Sequence, residues 1–217
     1  MNNEQGAHQQ ANGRRWSVRK KRPQQQVPKK PNNYAFIDSQ NLNLGVQKIG
    51  WKMDWHKFRI WLADNYGVTK AFMFIGYMQD NESLYEQMYD HGFLVVLKPT
   101  LEIKNVQQEP HNGDKPGEKS QDEKPTVKGN IDADLVLYTM KEMPNYDKAV
   151  IVSGDGDFFG LIEYLIEQKK FLKMLAPNRR FSTLLKPFEP YIDGIDNYRN
   201  ELAYHDRRRP RQQKTER

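Results

Sequence analysis

The chain has 217 residues, a formal net charge of +6 and no cysteine, with charged residues at 29% and hydrophobic residues at 37%. This length suits one domain with extensions, and the missing cysteines exclude disulfides and thiolate metal sites. No apolar run approaches the roughly 18 residues of a membrane span, and the opening MNNEQGAHQQ leads into no apolar signal core, so the expected setting is reducing and cytoplasmic with no membrane partner.

The charge is unevenly placed. Residues 1–32 carry eight Lys/Arg against Glu4, residues 205–217 carry six against Asp206 and Glu216, and the chain between them is acidic at −5. Neither end has apolar periodicity, so both are expected to be disordered basic arms flanking a domain over 33–204. Basic arms add salt-sensitive affinity for a phosphate backbone. The plainer reading of the arms is solubility.

Five apolar runs punctuate the middle, in the order YAFID (34–38), KAFMFIGY (70–77), FLVVLKP (93–99), KAVIVSGD (148–155) and FLKMLAP (171–177). Each is nearly continuous rather than alternating, the mark of strands buried on both faces. Helical patterns fill the gaps. Trp55, Phe58, Ile60, Trp61 and Leu62 precede the second run, and Leu84, Met88 and Tyr89 the third. Leu135, Val136, Tyr138, Thr139 and Met140 precede the fourth, and Phe158, Leu161, Ile162, Leu165 and Ile166 the fifth. Trp51, Trp55 and Trp61 read as core. The alternation predicts an α/β fold, an open, mostly parallel five-stranded sheet flanked by helices in three layers. A polar stretch over about 104–128 is too long for an ordinary connection. It reads as an insertion or a mobile lid, and as the place where a protein partner or a second copy would attach. Residues 180–204 are expected to add a helix or two.

The chemistry lies at the strand ends. The first run ends in Asp38, followed by Ser39, Gln40 and Asn41, and the fourth in Ser153, Gly154, Asp155, Gly156 and Asp157. Ligands of open parallel sheets bind beyond the carboxyl ends of strands, where the strand order reverses. With runs two and three on one side of run one, and four and five on the other, Asp38 and Asp155 share that crevice. Asp132 and Asp134 open the helix before run four, and a right-handed crossover brings that helix start to the same edge. Clustered carboxylates need a cation to stay ionised. An all-oxygen donor set suits Mg²⁺ or Mn²⁺, which can activate water and clamp a phosphodiester. Each aspartate also has a plainer reading. Asp132 and Asp157 stand where helix N-caps stand, and Asp155-Gly156 could be a turn.

Three segments together resemble the NYN domain family: FIDSQNLNLG, KGNIDADLVLYTM and IVSGDGDFFGLIEYL, in that family's order and over about residues 33–178. The resemblance implies a PIN-like sheet and endonuclease action on RNA. It also implies a bound Mg²⁺ or Mn²⁺, with Asp38, Asp132, Asp155 and Asp157 as catalytic metal ligands. By the same likeness Asn41 orients a ligand or water and Ser153 supports the loop, while Asp134 is an additional candidate. Lys98, Lys128, Arg179 and Arg180 are expected to grip phosphates from the same edge, against a plain reading as solvated surface. Tyr77 could stack on an unpaired base, although plain packing explains it slightly better.

Competing chemistries lack their signatures. There is no Walker loop, dinucleotide fingerprint or serine elbow. A haloacid-dehalogenase-like phosphatase would want a second aspartate at position 40, where Gln40 stands. The remaining alternative is an RNA-binding or regulatory module with little or no catalysis.

Overall fold

The structure, a computed structural model, describes residues 30–76, 81–98, 101–102, 127–128 and 131–205. The two arms, apart from their inner edges, lie outside these residues. So do Tyr77, the side chain of Lys128 and all of the 104–128 stretch except the backbone of its last two residues.

Six parallel strands form one open sheet in the order β3-β2-β1-β6-β7-β8. They are β1 (Asn33–Asp38), β2 (Val68–Gly76), β3 (Leu94–Lys98), β6 (Ala149–Val152), β7 (Phe171–Ala176) and β8 (Ile192–Gly194). A separate antiparallel pair, β4 (Leu101–Glu102) with β5 (Val127–Lys128), brackets the long polar stretch. The helices are α1 (Ser39–Gln47), α2 (Trp55–Tyr66), α3 (Glu82–Asp90), α4 (Asp132–Lys141), α5 (Phe159–Glu167) and α6 (Arg199–Leu202).

Strands β1, β2, β6 and β7 bury both faces, and their side chains alternate between two cores as the pleat requires. Ala35, Ile37, Ala71, Met73, Val150 and Val152 face the core completed by Leu42, Val46, Phe58, Trp61 and Leu62 of α1 and α2. Tyr34, Phe36, Phe72, Phe74, Ala149 and Ile151 face the core completed by Leu135, Leu161, Ile162 and Leu165 of α4 and α5. Phe36 stacks on Phe72 with ring centroids 5.4 Å apart. Each buried Phe, Leu, Ile, Val or Met among these contributes about 1.5–3 kcal/mol of transfer free energy. Trp51 and Trp61 are core residues, as expected, while Trp55 is half-buried and packs against that core.

Local signals set the boundaries of α2. The Lys57 N–H donates to Asp54 Oδ1, capping the start, and Gly67 ends the helix in the left-handed conformation at φ 61°, the backbone region that favours glycine. Asn32, expected to close the basic arm, is instead anchored. Its Nδ2 donates to the Asn145 carbonyl and its N–H to Asp147 Oδ2.

Three features differ from the sequence reading. The sheet has six strands rather than five, because β8 is only the three residues Ile-Asp-Gly and has no apolar run to announce it. Strand β3 lies at the sheet's edge and leaves Leu94 and Leu97 exposed, so its continuous run does not mean burial on both faces. Residues 183–191 form a 3-10 stretch rather than an α-helix. Pro187 and Pro190 within it each remove a backbone donor. Only the single turn of α6 is α-helical in the 180–204 region. Among the described residues no helix is long and apolar enough to cross a membrane.

Candidate functional site

The strand order reverses between β1 and β6, which lie side by side with Ile37 opposite Val152. The next residue along the chain from each is polar, Asp38 ending β1 and Ser153 just past the end of β6. Both are buried, Asp38 at 4% exposure and Ser153 at 0%. A carboxyl group enters such a place only with hydrogen-bond partners, and it has two. The Asn41 N–H donates to Asp38 Oδ1 at 3.0 Å, which makes Asp38 the N-cap of α1. Ser153 Oγ donates to Asp38 Oδ2 at 3.2 Å.

The loop after β6 is tied to the same point. Ser153 Oγ accepts the Asp155 N–H at 3.2 Å, and Asp155 Oδ1 accepts the Asp157 N–H at 3.1 Å. Asn41 Oδ1 accepts the Gly154 N–H at 2.9 Å, joining α1 to this loop. The 181–182 segment closes over the loop from above. The Ser182 N–H donates to the Gly154 carbonyl at 3.0 Å, and a Cβ on Gly156 would collide with the Ser182 hydroxyl. Ser39 Oγ, which sequence reasoning passed over, donates to the Phe74 carbonyl at 2.7 Å and pins the start of α1 to β2. Only the packed sheet reveals that contact.

The capping assignments fall differently from the plain sequence reading. Asp132 and Asp157 are not caps. Asp132 is the first residue of α4, whose cap position is Ile131 with no side-chain bond, and Asp157 lies exposed within a 3-10 turn. Asp38 and Asp155 do the capping, since they are the extended residues that directly precede helical turns.

Electrostatics joins the three segments. Burial pushes Asp38 up to about 6, and the negative charges of Asp132 and Asp155 add to the shift, against the hydrogen bonds from Asn41 and Ser153. Asp132 is also raised above the usual carboxylate range, by burial first and then by Asp155 and Asp157, with Lys98 opposing. Thus Asp38, Asp132, Asp155 and Asp157 share one negative crevice. Lys98 reaches it from the end of β3, and its Nζ lies 3.0 Å from Asp134 Oδ2. Asp134 is thereby engaged by a cation. The donors are all oxygens, the chemistry a hard divalent ion takes. Their spacing is open: among the described residues no group of three or more His, Cys, Asp or Glu side chains could hold a metal ion as placed. Arg179 and Arg180 follow β7 at the same edge and are exposed.

An open parallel α/β sheet with an acidic crevice at its switch point defines the class. The chain belongs to the NYN domain family, which it matches over residues 34–188. It is similar to the Low amplitude and bright protein LabA of Synechococcus elongatus, 24% identical over 166 residues, covering 74% of this chain and 82% of that protein. It is also similar in fold to the crystal structure of VPA0982, a protein of unknown function from Vibrio parahaemolyticus. That likeness has a TM-score of 0.60 at 20% identity, covering 82% of this chain and 99% of the other.

Proposed function

We propose that the protein is an endoribonuclease that hydrolyses RNA phosphodiester bonds with Mg²⁺ or Mn²⁺ held by Asp38, Asp132, Asp155 and Asp157. The observation that carries this reading is Asp38. It is a buried carboxylate at the end of a central strand, raised by burial and by two neighbouring aspartates. Such an arrangement is costly on its own and is offset by a bound cation. Membership of the NYN family supports the reading, because that family is grouped with the PIN-like nucleases.

When bound, the ion supplies positive charge for water attack on phosphorus and for the departing oxygen. The chain's own residues set the frame. The Asn41 N–H and the Ser153 hydroxyl fix both oxygens of Asp38, and the Asn41 side chain holds the β6 loop against α1. Lys98 lends positive charge to Asp132. Arg179 and Arg180, exposed at the rim, would position the substrate backbone.

A second reading, an RNA-binding or regulatory module with little or no catalysis, is favoured by the open spacing of the carboxylates. Incubation with a circular single-stranded RNA separates the two. Linear products that form with Mn²⁺ and disappear with EDTA support the nuclease. RNA that is bound but left uncut supports the binding module.

A further inference from the structure

Two cavities flank the loop that follows β7. One, of about 330 Å³, adjoins Asn41 and Gly154 of the acidic crevice. Its walls include Lys48 and Arg180, with Leu44, Ile49 and Pro177 as apolar surface. The other, of about 570 Å³, lies on the far side of the loop. Its walls include Arg179 and Lys186, with Phe181 and Ile192 as apolar surface and Glu189 as the one acidic side chain. Asn178 lines both. The two volumes fall within the range of about 300–1,000 Å³ typical of ligand sites.

The loop between them is built rather than loose. Asn178 Nδ2 donates to the Gly45 carbonyl of α1 at 2.9 Å, and the Arg180 N–H donates to Asn178 Oδ1 at 2.8 Å. Pro177 packs so closely on Gly45 that a Cβ there would overlap its ring. Consecutive arginines thus line opposite cavities. Lys48, Arg179, Arg180 and Lys186 are all exposed, and none of the four appears in an ion pair among the described residues.

We infer that the Pro177–Arg180 loop is a saddle over which a single RNA strand leaves the acidic crevice. Lys48 and Arg180 hold a phosphate on the near side, and Arg179 and Lys186 hold one on the far side. This rests on the ribonuclease reading and adds two lysines and a strand path to it. Pairing a cation with apolar surface in each cavity suits an unpaired nucleotide, whose phosphate meets the cation while its base or ribose covers the apolar wall. A duplex keeps its bases stacked inside and cannot fill either cavity.

The test is binding rather than cleavage. Full-length protein in EDTA is titrated by fluorescence anisotropy with a short unstructured RNA and with the matching duplex, over a range of salt. The proteins are the wild type, Lys48→Ala, Lys186→Ala and, as a control, Lys148→Ala, which changes an exposed lysine just before β6 at the opposite sheet edge. Each saddle variant is expected to make the plot of log affinity against log salt shallower by up to about 0.7, the value for one lost single-strand phosphate contact, since an arginine still faces the same phosphate. The control should match the wild type. Saddle variants that match the control overturn the strand path, and wild-type binding then leaves the ribonuclease reading standing. An equal loss on the duplex also overturns the path. Wild-type protein that binds no RNA at all overturns both.

Discussion

Ser153 Oγ donates to Asp38 Oδ2 at 3.2 Å across 115 residues of sequence, joining the ends of β1 and β6 at the switch point of the sheet. The same hydroxyl accepts the Asp155 N–H. One side chain therefore orients one candidate ligand and the backbone of another. Ser153→Ala removes both contacts. Since the Ser153 hydrogen bond opposes the upward shift of Asp38, its loss should push Asp38 further up. The acid limb of the pH–rate profile is expected to move to higher pH. Activity should fall by roughly 10–100-fold, the usual cost of losing an outer partner of a ligand. An acid limb that stays in place would contradict this role for Ser153.

Asp38 also predicts an unusual pH dependence of stability without metal. Its folded-state value of about 6 lies above the ordinary carboxylate value of 3.8. The folded protein therefore holds the proton more tightly, and the resulting stability is full below about pH 4 and is lost as pH rises through about 6. At neutral pH the charged group is a net cost. Asp38→Asn keeps an oxygen to accept the Asn41 N–H and removes the charge. In EDTA at about pH 8 it is expected to melt several degrees above the wild type, with an upper bound of about 3 kcal/mol from the size of the shift. At about pH 4 the advantage should disappear. Melts at the two pH values decide it: a variant no more stable than the wild type at the higher pH would contradict the desolvation account.

The contact of α1 with the saddle loop depends on a missing side chain. A Cβ on Gly45 would overlap Pro177, whereas one on Gly160 in α5 would meet nothing within 4 Å. Gly45→Ala should therefore destabilise the protein by about 1–3 kcal/mol through overpacking. Gly160→Ala should be neutral or stabilise by up to about 1 kcal/mol through helix propensity. Urea unfolding of the two variants checks the contrast. Equal effects would show that the loop yields freely.

The parts of this structure legible in the sequence are those written in local patterns. Continuous apolar runs mark β1, β2, β6 and β7 because these strands are covered on both faces. Asp38 stands out because an acid ends such a run. Strand β8 escaped notice because three residues with one apolar side chain make no pattern, and residues 183–191 because their prolines turn an amphipathic stretch into a 3-10 path. The links Ser153–Asp38, Asn41–Gly154 and Ser39–Phe74 join residues far apart in sequence. They follow from strand order and register rather than from any motif. Lys48 and Lys186 carry no sequence signal either, and only the cavities they line bring them forward.

The proposed activity is RNA cleavage at the Asp38 crevice with a divalent ion. Its most direct test is the cleavage rate of an internally labelled single-stranded RNA by wild-type and Asp38→Asn proteins purified in parallel, each with Mn²⁺ and with EDTA. Internal cleavage is expected from the wild type with Mn²⁺ only. The variant should be slower by more than about 100-fold, beyond the usual cost of losing an outer partner of a metal ligand, while remaining folded. Equal cleavage by the two proteins, or cleavage that persists in EDTA, would contradict it.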